Sequence, residues 1–371
     1  MKILADETIP FLKGIPEQFA EVRYVPSTQF TAEAVRDADV LIVRSVDQCT
    51  AEVLTGSRVK LITTATIGFD HIDTHYCDSH GIAWQNAPGC NARSVAQYVL
   101  ASLCLLSINY SKELHEMTIG IVGVGHVGSE VEQVCRAMGM RVLYNDPPRA
   151  EAEGENGFVS LEEIAAQSDV VTIHTPLTRE GRFPTYHLMN DAFFRSLRRG
   201  PWYINAARGG VNDTDALLEA ISRGQVSRAV IDCWEHEPDI RRDMLDRATV
   251  ATPHIAGFSA DGKANATRTC LQEISKFYAI DIPGLDSIVL PIPQEPIIDL
   301  DRFSNHRISR AILHTFDPRP VDRTLRNAPA SFEQLRAHYN HPREFPAYEV
   351  RNTSSEEAVI LQKLGFGLQY M

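Results

Sequence analysis

The apolar run Thr118-Ile119-Gly120-Ile121-Val122 passes straight into Gly123-Val124-Gly125-His126-Val127-Gly128, and residues 129–138 continue at helical spacing. Few folds accept that order. A strand that turns into a helix over three spaced glycines belongs to the βαβ unit of a doubly wound parallel sheet. There the turn must be tight, its backbone must admit a ligand, and the helix must pack hard on the strand. Gly123 suits the first need, Gly125 the second and Gly128 the third. Asp146 closes the next apolar run, Arg141-Val142-Leu143-Tyr144, about 18 residues past Gly128, near the ~20 at which an acid meets a ribose diol. The pattern predicts a dinucleotide site, with N–H groups near His126 and Val127 facing the pyrophosphate. An aspartate at Asp146 repels a 2′-phosphate and so favours NAD over NADP, with Arg149 as a nearby counter-charge to set against it.

Further strands follow at steady spacing: Val170-Val171-Thr172-Ile173, Trp202-Tyr203-Ile204, Ala229-Val230-Ile231 and Thr249-Val250-Ala251. Helical stretches such as 213–222 separate them, so six parallel strands complete the dinucleotide domain. Upstream, Ile3-Leu4-Ala5, Val40-Leu41-Ile42-Val43 and Leu61-Ile62-Thr63-Thr64 are continuous apolar strands of a second parallel sheet. Ligand groups gather at the carboxyl ends of such strands, here Asp6-Glu7, Arg44-Ser45 and Thr66-Ile67-Gly68. Residues 92–116 predict a long buried helix capped by Asn91 or Ser94. Pro283, Pro291, Pro293 and Pro296 exclude regular helix and mark a linker, beyond which the chain is richer in arginine, histidine and aromatics. That last piece carries no catalytic motif and suits oligomerisation.

A length of 371 residues calls for two or three domains. The formal charge of −12 argues against non-specific nucleic-acid binding and leaves an anionic substrate dependent on local cations. The seven cysteines are scattered and never spaced Cys-x-x-Cys, so no metal site reads out and buried reduced thiols of a cytoplasmic protein are expected. No signal-peptide layout opens the chain, and the longest apolar stretch, 98–108, is too short to span a bilayer.

Three residues then follow the glycine loop in chain order: Arg208, Glu237 and His254. Arg208, in Asn205-Ala206-Ala207-Arg208-Gly209-Gly210, follows a strand end, where a guanidinium can hold a carboxylate through two parallel bonds. His254, in Thr252-Pro253-His254-Ile255-Ala256-Gly257, suits proton exchange near neutral pH. Glu237, in Trp234-Glu235-His236-Glu237-Pro238, can fix the imidazole tautomer and stabilise its protonated form, with His236 as the local rival to His254.

These three segments resemble the signatures of the D-2-hydroxyacid dehydrogenases over about residues 1–280. The resemblance implies three parts: a Rossmann NAD domain (93–256), a flavodoxin-like α/β substrate or lid domain (1–92 with about 257–282), and, after a linker (283–296), a small C-terminal α+β dimerisation domain (297–371). It implies that Arg208 binds the substrate carboxylate, that His254 exchanges the C2 hydroxyl proton, and that Glu237 supports His254. It places Gly123, Gly125, His126, Val127, Gly128, Asp146, Thr175, Ala206, Ala207, Arg208, Asp232 and Gly257 along NAD, and Ser45, Thr66 and Phe258 against substrate. Phe258 departs from the tyrosine expected there, which removes one hydroxyl. Within the family, the opening Met1-Lys2-Ile3-Leu4-Ala5-Asp6-Glu7, the run Thr64-Ala65-Thr66-Ile67-Gly68-Phe69-Asp70-His71-Ile72-Asp73 and the extra C-terminal domain resemble one branch, and that resemblance implies a phosphorylated four-carbon acid on the route to pyridoxal phosphate as substrate. For the phosphate, Arg44, Arg93, Arg343 and Arg351 are candidates. Another acid of the family, 3-phosphoglycerate or glycerate, and a non-catalytic NAD-sensing protein are the alternatives. A homodimer through the C-terminal domain is expected.

Overall fold

The computed structural model describes residues 1–369, which form two compact units. One takes in Met1–Asn91 and Ser259–Pro291; the other takes in Ala92–Phe258 and the residues from Ile292 onward.

In the first unit β1 (Lys2–Asp6), β2 (Glu21–Val25), β3 (Val40–Val43), β4 (Leu61–Thr64) and β5 (Ala83–Gln85) run parallel in the order β2-β1-β3-β4-β5. This is the flavodoxin-like order. The inner strands β3 and β4 are wholly buried, as their unbroken apolar runs predict. The edge strands β2 and β5 are partly exposed and carry polar residues, so no apolar run announces them and the sequence reading missed both. Helix Ala260–Tyr278, capped by the Ser259 hydroxyl on the Gly262 N–H, lays Cys270, Leu271 and Ile274 against Ile3, Ala5 and Ile42. Strand order reverses between β1 and β3, and there Arg44 ion-pairs with the buried Asp6 at 3.2 Å.

In the second unit β6 (Thr118–Val122), β7 (Arg141–Asn145), β8 (Val170–Ile173), β9 (Trp202–Asn205), β10 (Arg228–Ile231) and β11 (Val250–Ala251) form a parallel sheet ordered β11-β10-β9-β8-β6-β7. An isolated parallel bridge, Tyr144 to Phe158, extends it beyond β7. The chain therefore reverses direction of travel between β6 and β8, which opens a crevice at their carboxyl ends. Helices Ala92–Tyr110 and His126–Ala137 pack Leu103 and Val131 on one face with Ile119 and Ile121. Helices Leu161–Gln167 and Thr214–Ser222 pack Ile164 and Leu217 on the other with Val171 and Tyr203. The long helix ends at Tyr110, not near 116: Ser111 turns to φ 50° and a short 3₁₀ turn, Leu114–Glu116, follows. Ser94 is not its cap but donates to the Ala256 carbonyl at 2.8 Å.

The same unit includes a sheet of three short parallel strands, β12 (Ile297–Asp299), β13 (Glu349–Arg351) and β14 (Gly367–Leu368), with helices between them. Ile312, Phe316 and Leu361 from this segment join the core on one face of the large sheet, while Leu325 and Phe332 join the core on the other. Helix Pro318–Asn327 covers the edge strand β11: Asp322 accepts the Ala251 N–H at 2.7 Å, and Arg326 donates to the Leu245 and Ala248 carbonyls at 2.6 and 2.7 Å. An unpaired buried N–H at Ala251 would cost about 1–3 kcal/mol, so this contact finishes the sheet. Residues 288–296 form no helix or strand, and Val289 and Ile292 stand exposed. Among the described residues no helix is long and apolar enough to cross a membrane.

Candidate active site

The three glycines of the loop differ in their surroundings. Gly123 sits at φ +85°, and a Cβ there would strike the His174 backbone at 2.9 Å and the Thr175 Cγ2 at 2.8 Å. A Cβ on Gly128 would lie 2.1 Å from the Gly123 carbonyl oxygen, so the helix starts in direct contact with the turn it leaves. Gly125, by contrast, faces open space, with nothing within 4 Å of an added Cβ. Beside it the exposed His126 and the half-buried Val127 begin the helix His126–Ala137, whose first N–H groups have no helical partner.

Asp146 accepts the Val124 N–H at 2.8 Å and caps the helix Pro147–Glu153 through the Arg149 N–H at 3.1 Å. Arg149 is already committed: it forks onto Glu153 at 2.8 and 2.7 Å and donates to the Val124 carbonyl at 2.5 Å. Across the crevice, at the end of β8, the Thr175 Oγ1 and His174 Nδ1 are buried without a hydrogen-bond partner. Burial pushes the His174 pKa down to about 3, so the ring is neutral. Open space over Gly125, an acid at the end of β7 and orphaned polar atoms opposite fit a dinucleotide.

β9, β10 and β11 deliver the three residues of the catalytic hypothesis to the same edge of the sheet. Asn205, fully buried at the end of β9, holds the Arg208 loop: its amide donates to the Arg208 carbonyl at 3.1 Å and to Asn212 at 2.5 Å, and its oxygen accepts the Ala207 N–H at 3.1 Å. Ala206 and Ala207 are buried, whereas Arg208 is half-buried. Its guanidinium donates to the Ala207 carbonyl at 2.8 Å and forms no ion pair among the described residues. Gly209 then packs on the Trp234–Glu235 peptide so closely that a Cβ would stand 1.9 Å from the Trp234 carbonyl oxygen.

His254 follows β11 at φ 55°, a left-handed conformation that a non-glycine residue rarely holds without surrounding constraint. The constraint is Asp232, fully buried after β10. Its carbonyl accepts the His254 N–H at 2.9 Å. Its carboxylate accepts the Thr252 hydroxyl at 2.6 Å and the Ile255 and Ala256 N–H groups at 2.8 and 2.9 Å. Burial raises the Asp232 pKa against the pull of His254 and these donors. Three of about four acceptor positions are filled, which leaves one, on Oδ2, for a further donor such as a carboxamide. Tyr98 reaches the Thr252 hydroxyl from the long helix at 2.7 Å, and Trp234 Nε1 donates to the Thr252 carbonyl at 2.9 Å.

The His254 Nδ1 and Glu237 Oε1 lie 2.6 Å apart, while the other Glu237 oxygen accepts the Trp234 N–H at 3.2 Å. Burial works against ionisation of Glu237, but its bonds with His254 and Trp234 outweigh it and hold the carboxyl below the ordinary range. With Nδ1 engaged, Nε2 is the nitrogen left for a substrate. The rival His236 is exposed and makes no side-chain hydrogen bond among the described residues. Cys233 is buried with its thiol toward the Ala207 carbonyl at 3.3 Å, and burial pushes its pKa far up, so it is no thiolate. No group of three metal-ligating side chains occurs among the described residues.

Gly257 and Phe258 are half-buried. Phe258 meets the C-terminal segment: the Arg336 guanidinium lies 5.4 Å from its ring centre, and the His341 ring stands edge-on at 5.6 Å. In the first unit, Ser45 is exposed just past β3, and Thr66 lies just past β4, bonded to Thr64 at 2.9 Å and to the Gly68 carbonyl at 2.7 Å. Of the candidate phosphate ligands, Arg44 pairs with Asp6, Arg93 with Glu130 at 3.6 Å, and Arg351 with Asp299 at 2.9 Å. The sequence reading singled out neither Tyr98 nor Arg336, and it gave Asn205 and Thr252 no role of their own. Asn205 and Thr252 lie inside the two quoted motifs and were within reach; Tyr98 and Arg336 are remote in sequence and carry no local signal.

Residues 106–256 match the family model described as D-isomer specific 2-hydroxyacid dehydrogenase, NAD binding domain, and residues 289–365 match a domain of unknown function. The erythronate-4-phosphate dehydrogenase of Porphyromonas gingivalis is 51% identical over 99% of this chain and 100% of its own. That of Bacteroides thetaiotaomicron is 50% identical over 94% and 99%. Among solved structures, D-lactate dehydrogenase from Aquifex aeolicus, complexed with NAD and lactic acid, aligns with a TM-score of 0.60 and 27% identity over 75% of this chain and 96% of its own. The NAD-dependent formate dehydrogenase of Staphylococcus aureus, at 24% identity and a TM-score of 0.58 over 75% and 96%, shares the fold.

Proposed function

This chain belongs to the D-isomer specific 2-hydroxyacid dehydrogenases, and we propose that it oxidises 4-phospho-D-erythronate to (R)-3-hydroxy-2-oxo-4-phosphobutanoate with NAD, a step of pyridoxal 5′-phosphate (vitamin B6) biosynthesis. The observation that carries this is identity along the whole of both chains, C-terminal segment included, to relatives bearing that enzyme's name. It favours this substrate over 3-phosphoglycerate or glycerate, and the intact His254–Glu237 pair speaks against a non-catalytic NAD sensor.

NAD, when bound, takes up the hydride that leaves C2. Gly125 leaves room for its pyrophosphate at the helix start near His126 and Val127, Gly123 and Gly128 allow the tight turn and the close helix start that form this cradle, and Asp146 accepts from the ribose. Thr175, Ala206, Ala207, Asp232 and Gly257 complete that lining. Arg208 holds the substrate carboxylate and stabilises charge on the neighbouring oxygen. The ionised Glu237 accepts the Nδ1–H, which leaves the Nε2 lone pair of His254 to take the C2 hydroxyl proton. Ser45 and Thr66 supply hydroxyl groups to the substrate, and Phe258 an apolar face. Domain limits of 1–92 with about 257–282, 93–256 and 297–371, a cytoplasmic site of action and a homodimer through the C-terminal segment belong to the same reading; a monomeric mass in solution would refute the last.

NADH formation tests the substrate. It should be fastest with 4-phospho-D-erythronate against erythronate and 3-phosphoglycerate, and a preference for 3-phosphoglycerate would overturn the assignment. His254→Asn should lose about 10²–10⁴ in turnover; near-normal turnover would remove His254 from its role.

A further inference from the structure

We propose that Arg336, carried by the C-terminal helix Phe332–Ala337, binds the phosphate of the substrate, an inference that rests on the function proposed above. A phosphorylated 2-hydroxy acid is anionic at both ends, and Arg208 accounts for only the carboxylate. With a net charge of −12 the protein offers no general field to hold the second anion, so a placed cation is required.

Arg336 is that cation on three grounds. Its guanidinium lies 5.4 Å from the ring centre of Phe258, four residues beyond His254 on the loop that Asp232 organises. Its Nε is buried without an acceptor, and it forms no ion pair among the described residues. A guanidinium N–H taken from water and left unbonded costs free energy that an arriving phosphate oxygen would recover. The sequence candidates Arg44, Arg93 and Arg351, by contrast, are each neutralised by a carboxylate within 3.6 Å. The substrate phosphate lies two carbons and an ester oxygen beyond C2. A cation beside the His254 loop is therefore where it is needed.

The competing account gives Arg336 only a structural part, pinning the C-terminal segment to Phe258 through the ring face. Kinetics on two acids separate the two. Arg336→Gln should raise KM for 4-phospho-D-erythronate by about 10- to 100-fold, the range for a lost charged hydrogen bond. It should leave kcat/KM for unphosphorylated erythronate within about threefold of wild type. Competitive inhibition by inorganic phosphate should weaken in parallel. Arg336→Lys, which keeps the charge without the planar fork, should recover part of the loss, and it carries the test if the glutamine variant does not fold. An equal loss on both acids, or an unchanged KM for the phosphorylated one, overturns the proposal. A wild-type enzyme indifferent to the phosphate would instead sink the functional reading, and this inference with it.

Discussion

Gly209→Ala isolates the contact between the Arg208 loop and the Glu237 loop. The added methyl would stand 1.9 Å from the Trp234 carbonyl oxygen, 2.0 Å from its carbon and 2.4 Å from the Glu235 nitrogen. All three are backbone atoms, so no side chain can swing away. Restoring an ordinary contact of about 3.4 Å means parting the two segments by roughly 1.5 Å. Arg208 precedes this glycine and Glu237 follows that peptide, so the parting falls on the distance between carboxylate clamp and proton acceptor. A misplacement of about 1 Å can cost 10²-fold in rate, and overpacking of this kind costs about 1–3 kcal/mol in stability. The variant should therefore lose at least about 100-fold in kcat/KM, read by NADH formation, and melt several degrees lower. Affinity for ADP, which needs only the Gly123 loop and Asp146, should stay within about twofold. A variant with kcat/KM within about threefold of wild type and an unchanged melting temperature would refute the reasoning.

Gly125→Ala should do the opposite: its Cβ meets nothing within 4 Å, so stability holds or rises by about 0.4–1 kcal/mol. NAD affinity, by calorimetric titration, should nonetheless fall at least about tenfold because the methyl occupies the approach of the pyrophosphate; undiminished affinity would remove the loop from the cofactor site. Glu237 supplies a pH signature. Its pKa is lower in the folded protein than the ~4.3 of an unfolded glutamate, so its contribution to stability is present above about pH 4.3 and fades as pH falls through the folded value. Urea unfolding should show a shallower acid-side loss for Glu237→Gln than for wild type, and identical pH slopes would contradict the stated pairing.

What could be read from the sequence divides along physical lines. β3, β4, β6, β8, β9 and β11 are wholly buried and announce themselves as apolar runs, whereas β2 and β5 are half-wet edges. The glycine spacing was legible because each glycine has a separate reason to be small: Gly123 and Gly128 meet backbone at close range, while Gly125 faces open space where a ligand can approach. Arg208, Glu237 and His254 stood out through residue chemistry and their place after strand ends. Their supports did not: Tyr98 lies 154 residues from its partner Thr252, and no local pattern encodes such a pairing. Arg336 was invisible for the same reason, while more conspicuous arginines proved to be paired with carboxylates. Arg149 raised a question about NADP that only its fork onto Glu153 answers.

The bonds from Asp322 and Arg326 to β11 and the turn before it also impose an order in time. As the chain leaves the ribosome, Arg208, Glu237 and His254 emerge well before residue 322, yet the strand that delivers His254 is still an open sheet edge. Until the last fifty or so residues arrive, that edge can pair with another nascent chain as readily as with its own helix. The late segment thus works as a molecular latch on synthesis, and release of a stalled chain short of residue 322 should yield aggregate sooner than weakly active enzyme.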